Sequence, residues 1–277
     1  MADTEALTQS ALASLDARFM AGAMSALPEI PAATLVVFRN GPAGGPPQLL
    51  MVVRSRAMSF AGGMAVFPGG RVDPADRALA ETLGVPDADE GAHRIAAIRE
   101  TIEETGLAPG LAQRLSAGEA AELRSAMAES SDFGAALEAR GLTLNLDALT
   151  PFARWCPRGV TSHRIFDTRF YLADLGTGAV DLAVDATENT RLFWTTAADA
   201  LAAADRGELS IIFPTRRNLE RLALFASFAE AKAQADAIPV RLIVPRAATR
   251  DGREVLTIPE DAGYPITAEP LDRAMRG

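Results

Sequence analysis

The hydrophobic pattern of this chain predicts strands and helices in mixed order. Short apolar runs bounded by turn residues predict strands at residues 33–39, 48–54, 64–67, 151–156, 165–173, 190–195, 240–244 and 254–258. Apolar residues at helical spacing predict helices at residues 5–24, 111–140, 196–204 and 215–235. Breaks in the second of these helices are expected near residues 118 and 130–132. The mixed order is typical of an α/β fold.

A further helix, predicted to end just before Gly106, has two chemically different faces. At about 100° per residue, three isoleucines share one side: Ile95, Ile98 and Ile102. Three glutamates share the opposite side: Glu100, Glu103 and Glu104. Because like charges one turn apart repel, a divalent cation would stabilise this cluster. We expect the acidic side to face a cleft or solvent, with Ala96 and Ala97 leaving room for a ligand.

Both ends of this helix are marked by capping residues. Asp87 and Asp89 are candidate N-caps, and Asp87 with Glu90 has the spacing of a capping box. Gly106 suits the left-handed residue that follows a helix, and Pro109 prevents the helix from continuing. The glutamates are therefore expected in its last two turns.

The glutamates belong to a longer string that follows Phe67-Pro68-Gly69-Gly70 after an interval. It reads Arg99-Glu100-Thr101-Ile102-Glu103-Glu104-Thr105-Gly106-Leu107. A glutamate-rich helix face alone is more often solvated surface, but the whole string, with its arginine and glycine, favours function. It resembles the Nudix box, G-x5-E-x7-R-E-U-x-E-E-x-G-U, in which U is a bulky aliphatic residue.

The match to the Nudix box has two departures and one insertion. Gly70 matches the opening glycine, and Arg99 begins the matching second half, in which Thr101 stands at an aliphatic position. Asp76 stands where the family has its first glutamate. Residues 77–98 number 22 where the family has seven, so 15 residues are extra. We interpret this segment as a loop excursion before the helix.

The resemblance implies a Nudix-type α/β/α sandwich with a mixed sheet, a helical insertion and terminal extensions. It also implies hydrolysis of a nucleoside diphosphate linked to another moiety, with Mg²⁺ or Mn²⁺ as cofactor. By position, Glu103 and Glu104 would bind the metal together with the Gly70 carbonyl. Glu100 would bind metal or help to activate water, and Arg99 would orient the glutamates. Hard cations of this kind prefer such oxygen ligands.

The sequence before the box resembles the additional signature of Nudix enzymes that cleave coenzyme A, L-L-T-x-R-[SA]-x3-R-x3-G-x3-F-P-G-G. The matching residues are Leu50, Arg54, Ser55, Gly63 and Phe67-Pro68-Gly69-Gly70. Met51, Val52 and Ser59 do not match. The second basic residue of the signature is therefore missing, although Arg56 lies nearby. The alternative is that the arginine and serine simply end a strand.

This second resemblance narrows the expected reaction to coenzyme A or acyl-coenzyme A, with 3′,5′-ADP and (acyl-)4′-phosphopantetheine as products. The candidate substrate-binding residues are Arg54, Ser55, Arg56, Phe67, Arg71 and Arg169. Two alternatives stay open. The first is a diphosphatase for ADP-ribose, dinucleotide cofactors or nucleotide sugars, and the second is a non-catalytic nucleotide-binding regulatory module.

Composition argues against several other classes. The net charge of −9 over 277 residues disfavours general nucleic-acid binding. No apolar run approaches the ~20 residues of a membrane span, and no secretory signal is evident. A single cysteine, Cys156, excludes an internal disulfide, fits a cytoplasmic protein, and with His93 and His163 makes no zinc site. The expected partner is a small-molecule substrate, and a homodimer stays open.

The chain is predicted to hold one main domain. This domain covers residues 31–236, with a helical insertion at 111–140 that is a candidate cap or dimerisation element. Residues 1–30 would form an N-terminal helical extension and residues 237–277 a C-terminal one. Glu188 is a further candidate metal ligand, because many Nudix folds place another acidic residue in a loop outside the box. The alternative is an exposed turn glutamate.

Overall fold

The structure is a computed structural model. It describes residues 27–58, 61–130, 132–158, 164–176 and 189–274. The predicted helix at residues 5–24 and the candidate ligand Glu188 lie outside these ranges. None of the helices within the ranges is long and apolar enough to cross a membrane.

Eleven strands form two sheets within the described residues. They are β1 (Glu29–Arg39), β2 (Gln48–Arg54), β3 (Ala65–Val66), β4 (Gly69–Arg71), β5 (Thr150–Trp155), β6 (Ile165–Asp174), β7 (Asn189–Thr195), β8 (Leu242–Ile243), β9 (Arg246–Arg250), β10 (Arg253–Thr257) and β11 (Ala268–Pro270). Eight make the main sheet in the order β3-β2-β1-β6-β5-β8, with β4 paired to β1 and β7 to β2. The β1–β6 and β5–β8 pairs are parallel and the others antiparallel, so this sheet is mixed.

Helices cover both faces of the main sheet. The described helices are α1 (Pro74–Thr82), α2 (Ala88–Thr105), α3 (Ala117–Ser130), α4 (Phe133–Glu138), α5 (Ala197–Asp205), α6 (Phe213–Leu222), α7 (Phe228–Ala237) and α8 (Leu271–Ala274). One core joins α2, α3 and α4 to Leu35 and Val37 of β1. The other joins α5, α6 and α7 to Val36 and Phe38. These two residues alternate with Leu35 and Val37 along β1, so they lie on the opposite face of the sheet. This α/β/α sandwich confirms the predicted fold class.

One edge of β1 is shared between two neighbouring strands. Its first half pairs with β4 around Ala33, and its end pairs with β2 around Phe38. The Leu35 N–H donates to the Pro68 carbonyl at 2.9 Å, which holds the glycine turn against β1. Helix α2 packs beside the same half of β1 and β4. The glycine turn therefore lies next to the glutamates.

Much of the insertion in the box is helical, so our prediction of a loop before the acidic helix was wrong for residues 77–82 and is confirmed only for residues 83–87. Helix α1 starts at Pro74, with Asp73 and Asp76 forming a reciprocal capping box. Helix α2 begins at Ala88, well before the glutamates. The insertion therefore lengthens the acidic helix at its N-terminal end and places a second helix beside it.

Two other predicted helices have different bounds in the structure. Residues 111–116 are not helical, and Gly118 lies in the first turn of α3 instead of at a break. The break near residues 130–132 is confirmed, since α4 starts after it. The stretch 215–235 divides into α6 and α7, because the Ser227 side chain caps α7.

All eight predicted strands are present, some with shifted ends. The segment predicted as a C-terminal extension supplies β8, which pairs in parallel with β5 in the main sheet. The rest of this segment forms the small sheet β11-β10-β9. The division of the chain into one domain and two extensions remains a prediction.

Candidate active site

Helix α2 presents its glutamates at one side, held in place by its caps and its core. The Asp87 carboxylate accepts the Glu90 N–H at 3.0 Å at the start of the helix. Gly106 ends it with φ 72°, and its N–H donates to the Ile102 carbonyl. All three isoleucines are fully buried. Their burial turns the acidic side of α2 away from the core.

Arg99 is the centre of an ion-pair network on this side. Its guanidinium donates to both carboxylate oxygens of Asp76, at 3.0 Å each. It also donates to Glu100 at 2.9 Å, to Glu103 at 3.0 Å and to the Arg71 carbonyl at 2.9 Å. Burial by itself lowers the pKa of Arg99, but Asp76 and the glutamates together raise it above its ordinary value. The guanidinium is therefore held in its charged form.

Asp76 pairs with Arg99 across the insertion in the box. The two residues are 23 positions apart, and Asp76 is only 2% exposed. Its carboxylate also accepts the Asp73 N–H at 2.8 Å. The shorter acidic residue at the first-glutamate position therefore reaches the arginine of the string despite the extra residues.

The other departure from the box is accommodated inside the helix. Thr101 is fully buried, and its hydroxyl donates to the Ala97 carbonyl at 2.7 Å. Ala96 and Ala97 are themselves fully buried in the core. They leave no room for a ligand, contrary to our expectation.

Glu100 lies directly against the main chain of Gly70. A Cβ atom at this glycine would stand 2.3 Å from the Cδ of Glu100, so a larger residue would displace the carboxylate. Burial raises the pKa of Glu100 to about 8, with Arg99 opposing and Glu104 and Glu103 adding to the rise. Burial also raises the pKa of Glu103. A nearby cation would stabilise the charged form of these crowded carboxylates.

Glu104 connects the glycine turn to the strand before it. This residue is 4% exposed, and its Oε2 accepts the Gly69 N–H at 3.0 Å. Its Oε1 lies 3.7 Å from an Nη1 of Arg54, at the end of β2. The glutamates and the arginine of the upstream sequence therefore meet in space.

A cavity of about 1030 Å³ opens beside these residues. The arginine and the three glutamates of the box, which are the candidate catalytic and metal-binding side chains, all line it: Arg99, Glu100, Glu103 and Glu104. Gly70 lines it as well, together with three of the candidate substrate-binding residues: Arg54, Phe67 and Arg71. The structure thus brings both sequence motifs to one cavity.

The other three candidate substrate-binding residues are not among the described residues that line this cavity. Arg169 donates to Glu90 at 2.7 Å and also pairs with Asp89, at the N-terminal end of α2. Arg56 is exposed, and the Ser55 hydroxyl accepts the Ala57 N–H at 3.4 Å. The role of these three residues in substrate binding stays a prediction, and the charge of Arg169 is already paired in this structure.

Sequence reasoning missed several residues that line the cavity. Leu79 comes from α1, Arg124 and Met127 from α3, and Phe133 from α4. No local motif marks these positions. They meet the box only because α1 and α3 pack beside α2 and α4 packs on α3, which sequence spacing does not reveal.

The residues of this site fit a divalent cation such as Mg²⁺ or Mn²⁺. Carboxylate and peptide oxygens are the hard donors that such ions prefer. The bare Cα of Gly70 also lets main chain and carboxylate approach closely. Within the described ranges no three His, Cys, Asp or Glu residues already form a metal cage. Arg99 donates to one oxygen of Glu100 and one of Glu103.

Among the comparisons with known proteins, only the search of solved structures finds matches. No family model and no curated protein matches the chain. The crystal structure of a Nudix hydrolase from Alicyclobacillus acidocaldarius is 30% identical, with 76% of this chain and 97% of that chain covered and a TM-score of 0.64. The Nudix domain of Shewanella oneidensis NrtR, solved with ADP ribose, is 13% identical, with 70% and 85% covered and a TM-score of 0.40. On the identity and coverage of the first match, this chain belongs to the Nudix hydrolase family.

Proposed function

We propose that this Nudix hydrolase cleaves the diphosphate of coenzyme A or an acyl-coenzyme A to 3′,5′-ADP and (acyl-)4′-phosphopantetheine. One observation carries the proposal. Arg54 and Phe67 of the upstream signature line the same cavity as the glutamates of the box. In the reaction, water attacks a diphosphate phosphorus and the bond to the bridging oxygen breaks.

The proposal includes a divalent cation at the glutamates. Glu100, Glu103, Glu104 and the main chain of Gly70 would hold it. When bound, the cation supplies positive charge to the diphosphate and lowers the pKa of a water molecule. Arg99 is then a positioning residue, since its contacts run to Asp76 and the glutamates.

Arginines of the cavity would bind the phosphates. Arg54 has 15% of its side chain exposed and lies beside Glu104, where the glutamates border the cavity. Arg71 is exposed on β4, next to Gly70. Guanidinium groups bind phosphate oxygens through paired hydrogen bonds. Such local cations would attract a polyanion to a protein of net charge −9.

A second candidate function is hydrolysis of another nucleoside diphosphate, such as ADP-ribose, a dinucleotide cofactor or a nucleotide sugar. The observation that favours it is the placement of Ser55 and Arg56, which belong to the upstream sequence but are not among the described lining residues. With Ser59 at the second basic position, only part of the coenzyme A signature reaches the cavity.

A substrate screen would separate the two. We expect the wild-type protein with Mg²⁺ to release 3′,5′-ADP from coenzyme A and acetyl-coenzyme A faster than it cleaves NADH or ADP-ribose, with products resolved by chromatography. Excess EDTA should abolish turnover and added Mg²⁺ should restore it, because the carboxylates alone supply no positive charge to the diphosphate.

Each part of the proposal has its own contrary outcome. Cleavage of ADP-ribose or NADH alone would replace the coenzyme A assignment with the second candidate. Turnover that persists in EDTA would contradict the proposed requirement for a divalent cation. Nucleotide binding without turnover in Mg²⁺ would support a regulatory module instead.

A substitution at the glycine turn tests the contact with Glu100. We expect Gly70→Ala to lower kcat/KM by about 100-fold, because the new Cβ would displace the carboxylate by an ångström or more. Gly118→Ala is the matched control, since it lies in α3 with nothing within 4 Å. It should keep wild-type kinetics and stabilise the helix by up to about 1 kcal/mol. Wild-type kinetics in Gly70→Ala would contradict the role given to Glu100.

A further inference from the structure

One wall of the cavity, which we call the helical wall, is built by α1, α3 and α4. Its apolar side chains include Leu79, Met127, Ala128 and Phe133. Met127 and Phe133 are 3% and 5% exposed, and Leu79 packs against the same core. The helical wall is therefore anchored in the core of the sandwich. Its helices come from the insertion in the box and from the segment predicted as a helical insertion.

A second wall of the cavity lies on the face of the main sheet that packs against α5, α6 and α7, and it has a different chemistry. Phe166, Thr168 and Phe170 alternate along β6, so their side chains lie on one face of the sheet, and all three line the cavity. Arg164 lines the cavity just before this strand. Aromatic rings and guanidinium groups provide surfaces on which a nucleobase stacks.

The glutamates are connected to both walls. On one side Arg99 bonds to Asp76 in α1, the first helix of the helical wall. On the other side β4, which carries Gly70, pairs with β1, and β1 pairs with β6. A substrate with its diphosphate at the glutamates would therefore extend one group along each wall.

We propose that the helical wall binds the acyl chain of an acyl-coenzyme A; this proposal rests on the proposed function. Each methylene removed from water against Leu79 and Ala128, the more accessible apolar residues of this wall, favours binding of a longer chain. Polar side chains also belong to this wall, among them Thr82 of α1, Arg124 of α3 and Asp132, the N-cap of α4. They suit the amide groups that separate the diphosphate from the acyl chain. The nucleobase would then stack on the rings of the other wall, Phe166 and Phe170.

Ala128→Trp tests this proposal with little risk to the fold. Ala128 is an exposed residue of α3 that lines the cavity, so an indole there would fill the space beside the helical wall. Ala121→Trp is the matched control. It makes the same change on the same face of α3, about 10 Å along the axis, at an exposed position that is not among the described lining residues. The measurement is kcat/KM for coenzyme A and its acetyl, hexanoyl and dodecanoyl thioesters.

We expect kcat/KM of the wild-type protein to rise with chain length. In Ala128→Trp, the ratio of the dodecanoyl value to the coenzyme A value should fall by about tenfold or more, while Ala121→Trp keeps the wild-type ratio. An unchanged ratio in Ala128→Trp, or the same fall in both variants, would overturn the acyl-binding role of the helical wall and leave the proposed function standing. Failure of the wild-type protein to hydrolyse any of the four compounds would overturn both.

Discussion

Glu103→Gln is expected to remove nearly all hydrolysis while the protein stays folded. Glutamine has the shape of glutamate but no negative charge, so it is a poor ligand for a hard cation. We expect kcat/KM to fall by at least about 100-fold. The side chain of Glu103 is 38% exposed, and its ion pair with Arg99 is one of several that this arginine makes. The loss of this partly exposed pair should therefore cost at most about 1 kcal/mol of stability.

The measurement is Mg²⁺-dependent turnover, together with a urea unfolding curve for each protein. Glu81→Gln is a matched control, because it makes the same chemical change at an exposed position of α1. It should behave like the wild-type protein in both measurements. Full activity of Glu103→Gln with an ordinary metal requirement would show that this glutamate is not a metal ligand.

Arg99→Met is expected to lower the free energy of unfolding by about 3–5 kcal/mol, as when one partner of a buried ion pair is removed. Methionine fills much of the same space but leaves the carboxylate of Asp76, which is 2% exposed, without its charge partner. Activity should fall as well, because Arg99 holds Glu100 and Glu103 in place. Urea unfolding followed by circular dichroism gives the stability change.

The double substitution Arg99→Met with Asp76→Asn separates charge from packing. Asparagine removes the buried charge and keeps an oxygen for the Asp73 N–H, which Asp76 accepts at 2.8 Å. We expect the double variant to recover roughly 1–3 kcal/mol relative to Arg99→Met. Equal stability of the two variants would mean that the unpaired charge of Asp76 is not the cause of the loss. Activity should stay low in both, since neither restores the arginine.

Features that depend on residues close together in the chain were predicted well from sequence. Apolar runs bounded by glycine and proline marked the strands, including β2 at both of its ends. The Asp87 cap and the left-handed Gly106 ended helix α2 where expected, because a cap involves residues within one turn of each other. The family string also lies on one helix, so helical geometry alone places Arg99 and its glutamates on one face.

The start of helix α1 is marked by a local signal in the sequence. Asp73-Pro74 followed by Asp76 is a helix start, with a cap, proline in the first turn and an acidic residue three positions after the cap. The extra residues of the insertion, which include Gly84 and Pro86, favour a loop instead, and our prediction followed them. The helical insertion at residues 111–140 was predicted with its second break, but the bounds of its helices depend on how they pack on α2.

Local sequence patterns account for the strands, the caps of α2 and the string of residues that form the acidic face. The folded chain was needed to show that Asp76 reaches Arg99 across 23 positions and that the charge of Arg169 is paired with Asp89 and Glu90. The two walls of the cavity likewise come from helices and strands that are distant in sequence. Caps and faces follow from the geometry of one helix or strand, whereas long-range ion pairs and cavities follow from how these elements pack.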